Sequence, residues 1–474
     1  MKERIKKYLA TTPKKKKVMD AFIVLYSLLT VGVFLFFLIK YPSVPGGKGL
    51  WFYIVCLFLL FAIAGVLLLY KERKLKPILI ISGTIALAFL IRVFFADFVS
   101  GDYEYFLKGW LTAYRETGIP GAFRSTISNY VPLYNYFLIA FSRMDFVYDL
   151  YMIKLLSAIF DVLCAFAVML IVAKISGKPL NKYLFAFILV VPAFFIESPA
   201  WGQCDSIYCF FGLMGFYYAL KKKSLLAFIF FGISLAIKAQ AIVLLPIAII
   251  MLFAKDTDGK RYLDWRYMFI AVAPYFILNC LPLFFGKSFW LTYGIYFRQV
   301  NETAAPISSA PGISILFKEL IPTGSPTPPA QIAAICAFLV LAISTMALLV
   351  FFAIKHTRNH AISKYDCAWL GFCTMFCTLL LMPKIFDRYY YLALFFAIIL
   401  CAANPSRANV LTILALHLPV AVTMICGCFW VFLPPHQYYL VAGMIGIFIY
   451  YCYTFKVKYL PKERRAENAP RKNT

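Results

Sequence analysis

Charge is what this 474-residue chain has least of: only 14% of its residues are Asp, Glu, Lys or Arg, well below the roughly 25% of soluble domains. No polar stretch is long enough to form a separate soluble domain, which excludes a water-soluble globular protein. Paired CxxC spacing is also missing. The thirteen cysteines fall mostly inside apolar runs, where they read as small buried hydrophobes rather than disulfides or a zinc site. No A-x-A-like cleavage site follows the first apolar run, so this run, preceded by Lys2, Arg4, Lys6, Lys7 and Lys14 to Lys17, reads as a retained anchor.

What the chain does have is apolar surface: 63% of its residues are hydrophobic and 18% aromatic. Apolar runs of about 15–25 residues recur from end to end, which gives an all-α polytopic membrane protein. Candidate spans lie near 19–39, 51–70, 77–98, 151–173, 183–200, 206–220 and 224–237. They continue near 241–254, 267–286, 332–354, 367–382, 389–403, 409–433 and 437–455, about fourteen in all. Several are short for a hydrocarbon core of roughly 30 Å, and the two flanking Lys238 read as a hairpin or a broken helix.

The net charge of +26 does not imply nucleic acid, because the lysines and arginines sit in short clusters between apolar runs. With the N-terminus in the cytoplasm, alternate turns hold the N-terminal lysines, Lys71 to Lys76, Lys174 to Lys182, Lys221 to Lys223 and Lys255 to Arg266. Lys355 to Lys364, Arg407 and the tail from Lys456 follow, bringing the total to about 33 of the 47 basic residues. Both termini are then cytoplasmic. Two segments fit this alternation only without crossing: the amphipathic stretch Tyr103 to Thr117 and the run Tyr130 to Met144 opened by Pro132, both expected as juxtamembrane helices on the outer face. Lys287 to Gln331, rich in Pro, Ser, Thr and Gly, is an outer loop long enough to serve as a lid.

The turns on the outer face carry the polar residues that could do chemistry. Asp102, behind Gly101, reads both as a helix N-cap and as a general base held in fixed orientation. With Glu104 it forms a D-x-E pair, a weak signal for a divalent cation. Trp201 alone fits an aromatic belt, but Gln203 and Asp205 beside it, with Glu197 upstream, point to binding. Lys238 and Gln240 sit at the outer end of two short runs, where snorkelling competes with a binding role. Lys384, Asp387 and Arg388 form a further outer cluster. Arg92, Lys154 and Asp161 fall inside spans and are expected to form a structural ion pair or network, Lys154 and Asp161 lying on one face of their helix. Cations at the membrane surface neutralise a leaving phosphate, aromatic faces suit a sugar ring, and a carboxylate deprotonates an attacking hydroxyl.

Five motifs, running from Arg92 to Tyr391 with their order and spacing, resemble the GT-C superfamily of membrane glycosyltransferases, in particular bacterial relatives of the second mannosyltransferase of GPI-anchor assembly. Gly101-Asp102 is similar to that family's first outer-loop aspartate, and Tyr130-Val131-Pro132-Leu133-Tyr134 to its Y-P-P-L-Y element. Trp201-Gly202-Gln203-Cys204-Asp205 resembles W-G-Q-x-D, the most specific of the set. Lys238-Ala239-Gln240 with Pro246 resembles K-x-Q…P, and Pro383 to Tyr389 resembles P-K-M-H-E-R-Y with Phe386-Asp387 in place of His-Glu.

The resemblance implies a GT-C-like bundle of about fourteen transmembrane helices that moves a sugar, a hexose such as mannose, from a polyprenyl-phosphate donor with inversion. The acceptor is a glycan, lipid or protein at the outer face. Asp102 is the implied base, Lys238, Lys384 and Arg388 the implied phosphate contacts, and Gln203, Asp205 and Gln240 the implied sugar site. Glu104, Tyr130, Tyr134, Trp201 and Asp387 complete the candidate set. On this reading the chain is one membrane domain: extra spans in 1–76, a catalytic core in 77–403 with outer loops 99–150 and 287–331, and C-terminal spans with a basic tail in 404–474. A bacterial plasma membrane is the expected location and the endoplasmic reticulum the alternative, where the sequon Asn301-Glu302-Thr303 would matter. Membrane lipids are expected partners. A transporter or flippase of lipid-linked sugars, or a non-enzymatic assembly component, are the competing readings; the first predicts internal repeats and polar residues on both faces, neither of which is evident.

Overall fold

In hydrocarbon every peptide group must be hydrogen-bonded within its own segment or to a protein neighbour, so the apolar runs are confined to helices. The computed structural model describes residues 46–302, 310–317, 320–321, 328–429 and 437–460, and their regular structure is helical apart from an isolated bridge between Lys255 and Arg261. The expected span near 19–39, the Thr303 end of the sequon with its Asn301 and Glu302 side chains, and most of the basic tail lie outside the described residues.

Among the described residues, six helices are long and apolar enough to cross a membrane. They are α1 (Leu50–Leu69), α2 (Leu75–Phe94), α5 (Asp149–Ser176), α15 (Pro329–Asn359), α18 (Arg407–Phe429) and α19 (Gln437–Tyr459). A seventh is present if α6 (Lys182–Ile188) and the following Pro192–Ala200 are one span bent by 51°. That second half is α7 (Pro192–Phe195) running into a π-turn over Ile196–Ala200. The bend follows from Pro192, which lacks the N–H that would continue α6.

The other expected spans appear as shorter helices. Between the long helices come α8 (Asp205–Leu220), α9 (Ser224–Ile237), a 3-10 turn over Ala239–Leu244, and α10 (Leu245–Phe253). Lys238 is extended, with φ −153° and ψ 136°, so the break expected there is present. The run expected near 267–286 is divided into a 3-10 segment Trp265–Val272, α11 (Ala273–Leu278) and α12 (Leu281–Phe284), with prolines near each helix start. It is therefore a chain of short pieces and not one continuous span. After α12 come α13 (Phe289–Tyr293) and α14 (Ile295–Glu302), and beyond α15 lie α16 (Lys364–Leu381), a 3-10 turn Asp387–Tyr390 and α17 (Tyr391–Ala403).

Burial separates inner from outer helices. In α5, 72% of the apolar stretch is buried, whereas in α1 and α2 it is 28% and in α15 only 11%. The centre of the bundle is therefore α5 with α8, α16 and α17. Small residues let α8 approach α9: a Cβ on Gly215 would stand 2.5 Å from the Phe231 ring, and Ser234 Oγ donates to Tyr208 O at 2.7 Å.

Arg92 and Asp161 form the expected buried pair at 2.6 Å, joining α2 to α5. Lys154 does not join them. Its ammonium donates to the carbonyls of Phe95, Ala96 and Phe98 just beyond α2, where the last carbonyls of a helix have no intrahelical donor. A lysine thus caps α2 in place of the expected three-residue network.

The amphipathic stretch behaves as its pattern dictates. A π-turn over Tyr103–Leu107 leads into α3 (Lys108–Arg124); Tyr103, Leu107, Trp110, Leu111 and Tyr114 are buried and Glu104, Lys108, Thr112 and Glu116 face outward. Phe106, which a regular helical period over Tyr103 to Thr117 puts on the apolar face, is instead 52% exposed because the π-turn shifts its register. The second short helix, α4 (Pro132–Phe141), has ten residues, roughly 15 Å and half a hydrocarbon core.

The connections sort into two poles. At one, Lys182 pairs with Glu72 at 3.4 Å, Lys222 with Asp256, and Lys458 with Asp366, while Tyr262 donates to Ile362 O at 2.9 Å. This pole collects the basic turns. The opposite pole collects the motif-bearing ones.

Candidate functional site

Three separate stretches of chain meet at Asp102. Gln203 Nε2 donates to Asp102 Oδ2, and Arg388 Nη1 stands 3.2 Å from the same oxygen. The positions of these groups are set by the backbone around them. Ser100 Oγ donates to Trp201 O at 2.7 Å and Ser157 Oγ to Gln203 O at 2.6 Å, clamping the Trp201-Gly202-Gln203 turn between the start of the π-turn and α5. Gly202 takes φ +76°, a left-handed conformation that favours glycine at this turn.

Asp102 is not an N-cap. Its backbone is already helical, with φ −60° and ψ −35°, and its carboxylate makes no capping bond. The nearby Ser100 hydroxyl, not the carboxylate, accepts from Tyr103 N at 3.4 Å. Asp102 is therefore free of the local role, and because both of its contacts fall on Oδ2, its Oδ1 is open to a ligand. The D-x-E pair does not converge: Glu104 turns outward to Lys108 at 2.6 Å, one helical turn away. Glu104 is thus outside the cluster, and among the described residues no three His, Cys, Asp or Glu side chains are grouped to hold a metal ion.

A second ion pair adjoins the first. Lys238, released from helical geometry by the break after α9, reaches Asp205 Oδ2 at 2.7 Å, and both are buried. Its ammonium lies 5.6 Å from the centre of the Tyr130 ring, which in turn contacts Tyr134 and Trp110 at 5.1 and 5.6 Å. The Arg388 guanidinium lies 5.4 Å from Trp201 and 4.9 Å from Phe386. Each cation is therefore held between a carboxylate and an aromatic face.

Several polar atoms in this cluster are buried without a hydrogen-bonding partner: both Glu197 oxygens, Asp205 Oδ1, Asp387 Oδ2 and the donor Arg388 Nε, with Gln240 Oε1, two residues beyond Lys238, in the same state. Leaving such groups unpaired costs roughly 1–3 kcal/mol each, so each gains from any molecule that can complete its hydrogen bonds. Five acceptors and one guanidinium donor suit a polyhydroxylated molecule that carries an anionic group. Lys384, in the Asp387 turn, is half-buried with φ +55°, a strained value for a non-glycine residue. The contacts to Asp102 and the aromatic rings run through Arg388.

No family model matches this chain, and no curated protein matches it.

Glu197, which the sequence places upstream of Trp201 in the same polar group, lies in the π-turn and faces Asp205. One contributor is absent from the sequence-based set. Gly427 of α18 packs against Trp201 and Asp387, where a Cβ would come within 2.9 Å of the indole. It carries no signal in sequence, because its role is only to leave room. The segment between α12 and α15 also packs here: Gln299 donates to Asn129 O, beside Tyr130, and Tyr390 to Pro311 O at 3.5 Å.

Asp387 lies in the turn between α16 and α17, and burial pushes its carboxyl up to about 6, against the pull of Arg388. The unfolded carboxyl titrates near 3.8, so the neutral form is favoured on folding; the associated stability is present below that value and lost as pH rises through 6. The melting temperature of the wild type should therefore fall relative to Asp387→Asn as detergent-solubilised protein is moved from pH 5 to pH 7. A difference that stays constant across this window contradicts the assignment.

Proposed function

We propose that the chain is an inverting glycosyltransferase that moves a sugar, a hexose such as mannose, from a polyprenyl-phosphate donor to an acceptor hydroxyl. The observation that carries this reading is the Asp102–Arg388 pair, 28% and 16% exposed, set beside buried acceptors that have no partner. In the reaction the acceptor oxygen attacks the anomeric carbon and its proton passes to Asp102 Oδ1. The bond from the anomeric carbon to the phosphate oxygen breaks on the opposite side, and polyprenyl phosphate leaves with the electron pair. Arg388 and Lys238 offset the charge that develops on the phosphate, a form of stabilisation effective in a water-poor site. Gln203, Gln240, Asp205 and Glu197 accept from sugar hydroxyls, and Trp201, Tyr130 and Tyr134 supply apolar faces for the ring.

This reading places the basic pole in the cytoplasm and the cluster at the outer face of a bacterial plasma membrane, in a GT-C-like bundle of about fourteen spans. The test is direct. Purified protein, supplied in turn with polyprenyl-phosphate sugars and candidate acceptors, is expected to release polyprenyl phosphate in proportion to glycosylated acceptor. Movement of the intact lipid-linked sugar across a proteoliposome membrane, with no release, would establish the transporter instead.

A further inference from the structure

The basic pole holds a cavity that the proposed reaction does not use. It has a volume of about 850 Å³ and lies between the α8–α9 turn and the segment from Lys260 to Tyr267. Lys222 and Arg266 line it but are neutralised locally, Lys222 by Asp256 and Arg266 by Asp264 at 2.6 Å. Lys223, Lys260 and Arg261 also line it, are exposed, and make no ion pair among the described residues. Three cations outside any ion pair therefore face one concavity, with Arg261 alone feeling the nearby Asp264 carboxylate.

Its rim is apolar. Trp265 is 60% exposed, and Leu225 and Leu226 are 44% and 38% exposed. From the rim, Phe269, Val272 and Ile277 continue an exposed apolar stripe along the 3-10 segment and α11, at 73%, 50% and 66%. Free phosphate would use the cations alone and leave this stripe in water. An amphiphile uses both: its head group meets the three cations and its acyl chains follow the stripe, with Trp265 at the boundary where indole rings concentrate.

We propose that this cavity binds the anionic head group of a membrane phospholipid. The local carboxylates explain its selectivity, because Asp256 and Asp264 hold Lys222 and Arg266 in place and leave a net positive charge that a zwitterionic head group satisfies poorly. The site depends only on the membrane character of the chain, not on the proposed sugar transfer.

The experiment compares delipidated full-length protein with Lys223→Gln/Lys260→Gln/Arg261→Gln, titrated with phosphatidylglycerol, phosphatidylcholine or inorganic phosphate and read by native mass spectrometry and thermal shift. Wild type is expected to retain phosphatidylglycerol over phosphatidylcholine. The triple variant is expected to lose on the order of 100-fold in affinity, from roughly fivefold per cation at low salt. Its melting temperature without lipid should match wild type, since the three side chains are exposed. Trp265→Ala, which leaves the cations intact, should weaken phosphatidylglycerol binding by a smaller factor. Equal retention of the two lipids, unchanged binding by the triple variant, or full competition by inorganic phosphate overturns the proposal.

Discussion

Asp102→Asn is expected to lower sugar transfer by about 10²–10⁴, the usual worth of a positioned general base, while the melting temperature stays near wild type. Folding should survive because the substitution preserves shape, and the side chain is 28% exposed and makes no capping bond whose loss would unwind the helix. Gln203 can still donate to the remaining carbonyl oxygen. What disappears is the anionic oxygen that accepts the acceptor's proton. Glu104→Gln provides the control: two residues away but paired outward with Lys108, it should leave turnover close to wild type. Donor retention separates chemistry from binding, since Asp102→Asn should still bind polyprenyl-phosphate sugar through Arg388 and Lys238. Near-wild-type turnover by Asp102→Asn would remove the base from the mechanism.

The sequence was legible where a single physical period dominates. Basic clusters recurring between apolar runs separate the two poles, and the apolar face of the Tyr103 to Thr117 stretch reads directly as the buried face of its helix. A break was legible at a polar pair between short apolar runs, Lys238 with Gln240, but not at Pro192, which bends the stretch near 183–200 that the sequence reads as one span. Boundaries and registers were less accessible. The π-turn over Tyr103–Leu107 rotates Phe106 outward, and no composition rule anticipates one extra residue per turn.

Pairings across the bundle were harder still. From position alone Asp102 fits an N-cap and Lys154 fits an ion pair with Asp161, and both assignments fail for the same reason. Each local partner competes with one from a distant segment. Asp102 is taken by Gln203 and Arg388, and Lys154 by carbonyls beyond α2. Gly427 shows the remaining limit: an absent side chain acquires meaning only once the neighbouring helices are in place.

Arg92→Met is the substitution expected to damage the fold most, at about 3–5 kcal/mol, the cost of breaking one side of a buried ion pair. Arg92 is fully buried and Asp161 is 3% exposed, so removal of the guanidinium leaves a carboxylate that water cannot reach. The loss extends beyond that pair. Arg92 Nη1 also donates to Ala88 O at 3.1 Å and Leu189 O at 3.2 Å, so the same side chain ties α2 to the bend between α6 and α7. Tyr391 donates to the other Asp161 oxygen at 3.4 Å and is a poor substitute for a cation. Arg92→Lys should be intermediate, retaining charge but losing the planar fork that serves three acceptors at once. The double variant Arg92→Met/Asp161→Leu then decides what the pair is for. Replacing both charges by apolar groups removes the uncompensated carboxylate, and stability should return to within about 1–2 kcal/mol of wild type. If the double variant melts as low as Arg92→Met alone, the carboxylate is not the source of the damage and the carbonyl contacts of Arg92 are. If the double variant is stable and its folded fraction transfers sugar at the wild-type rate, the pair is structural and the proposed chemistry is confined to the pole above it.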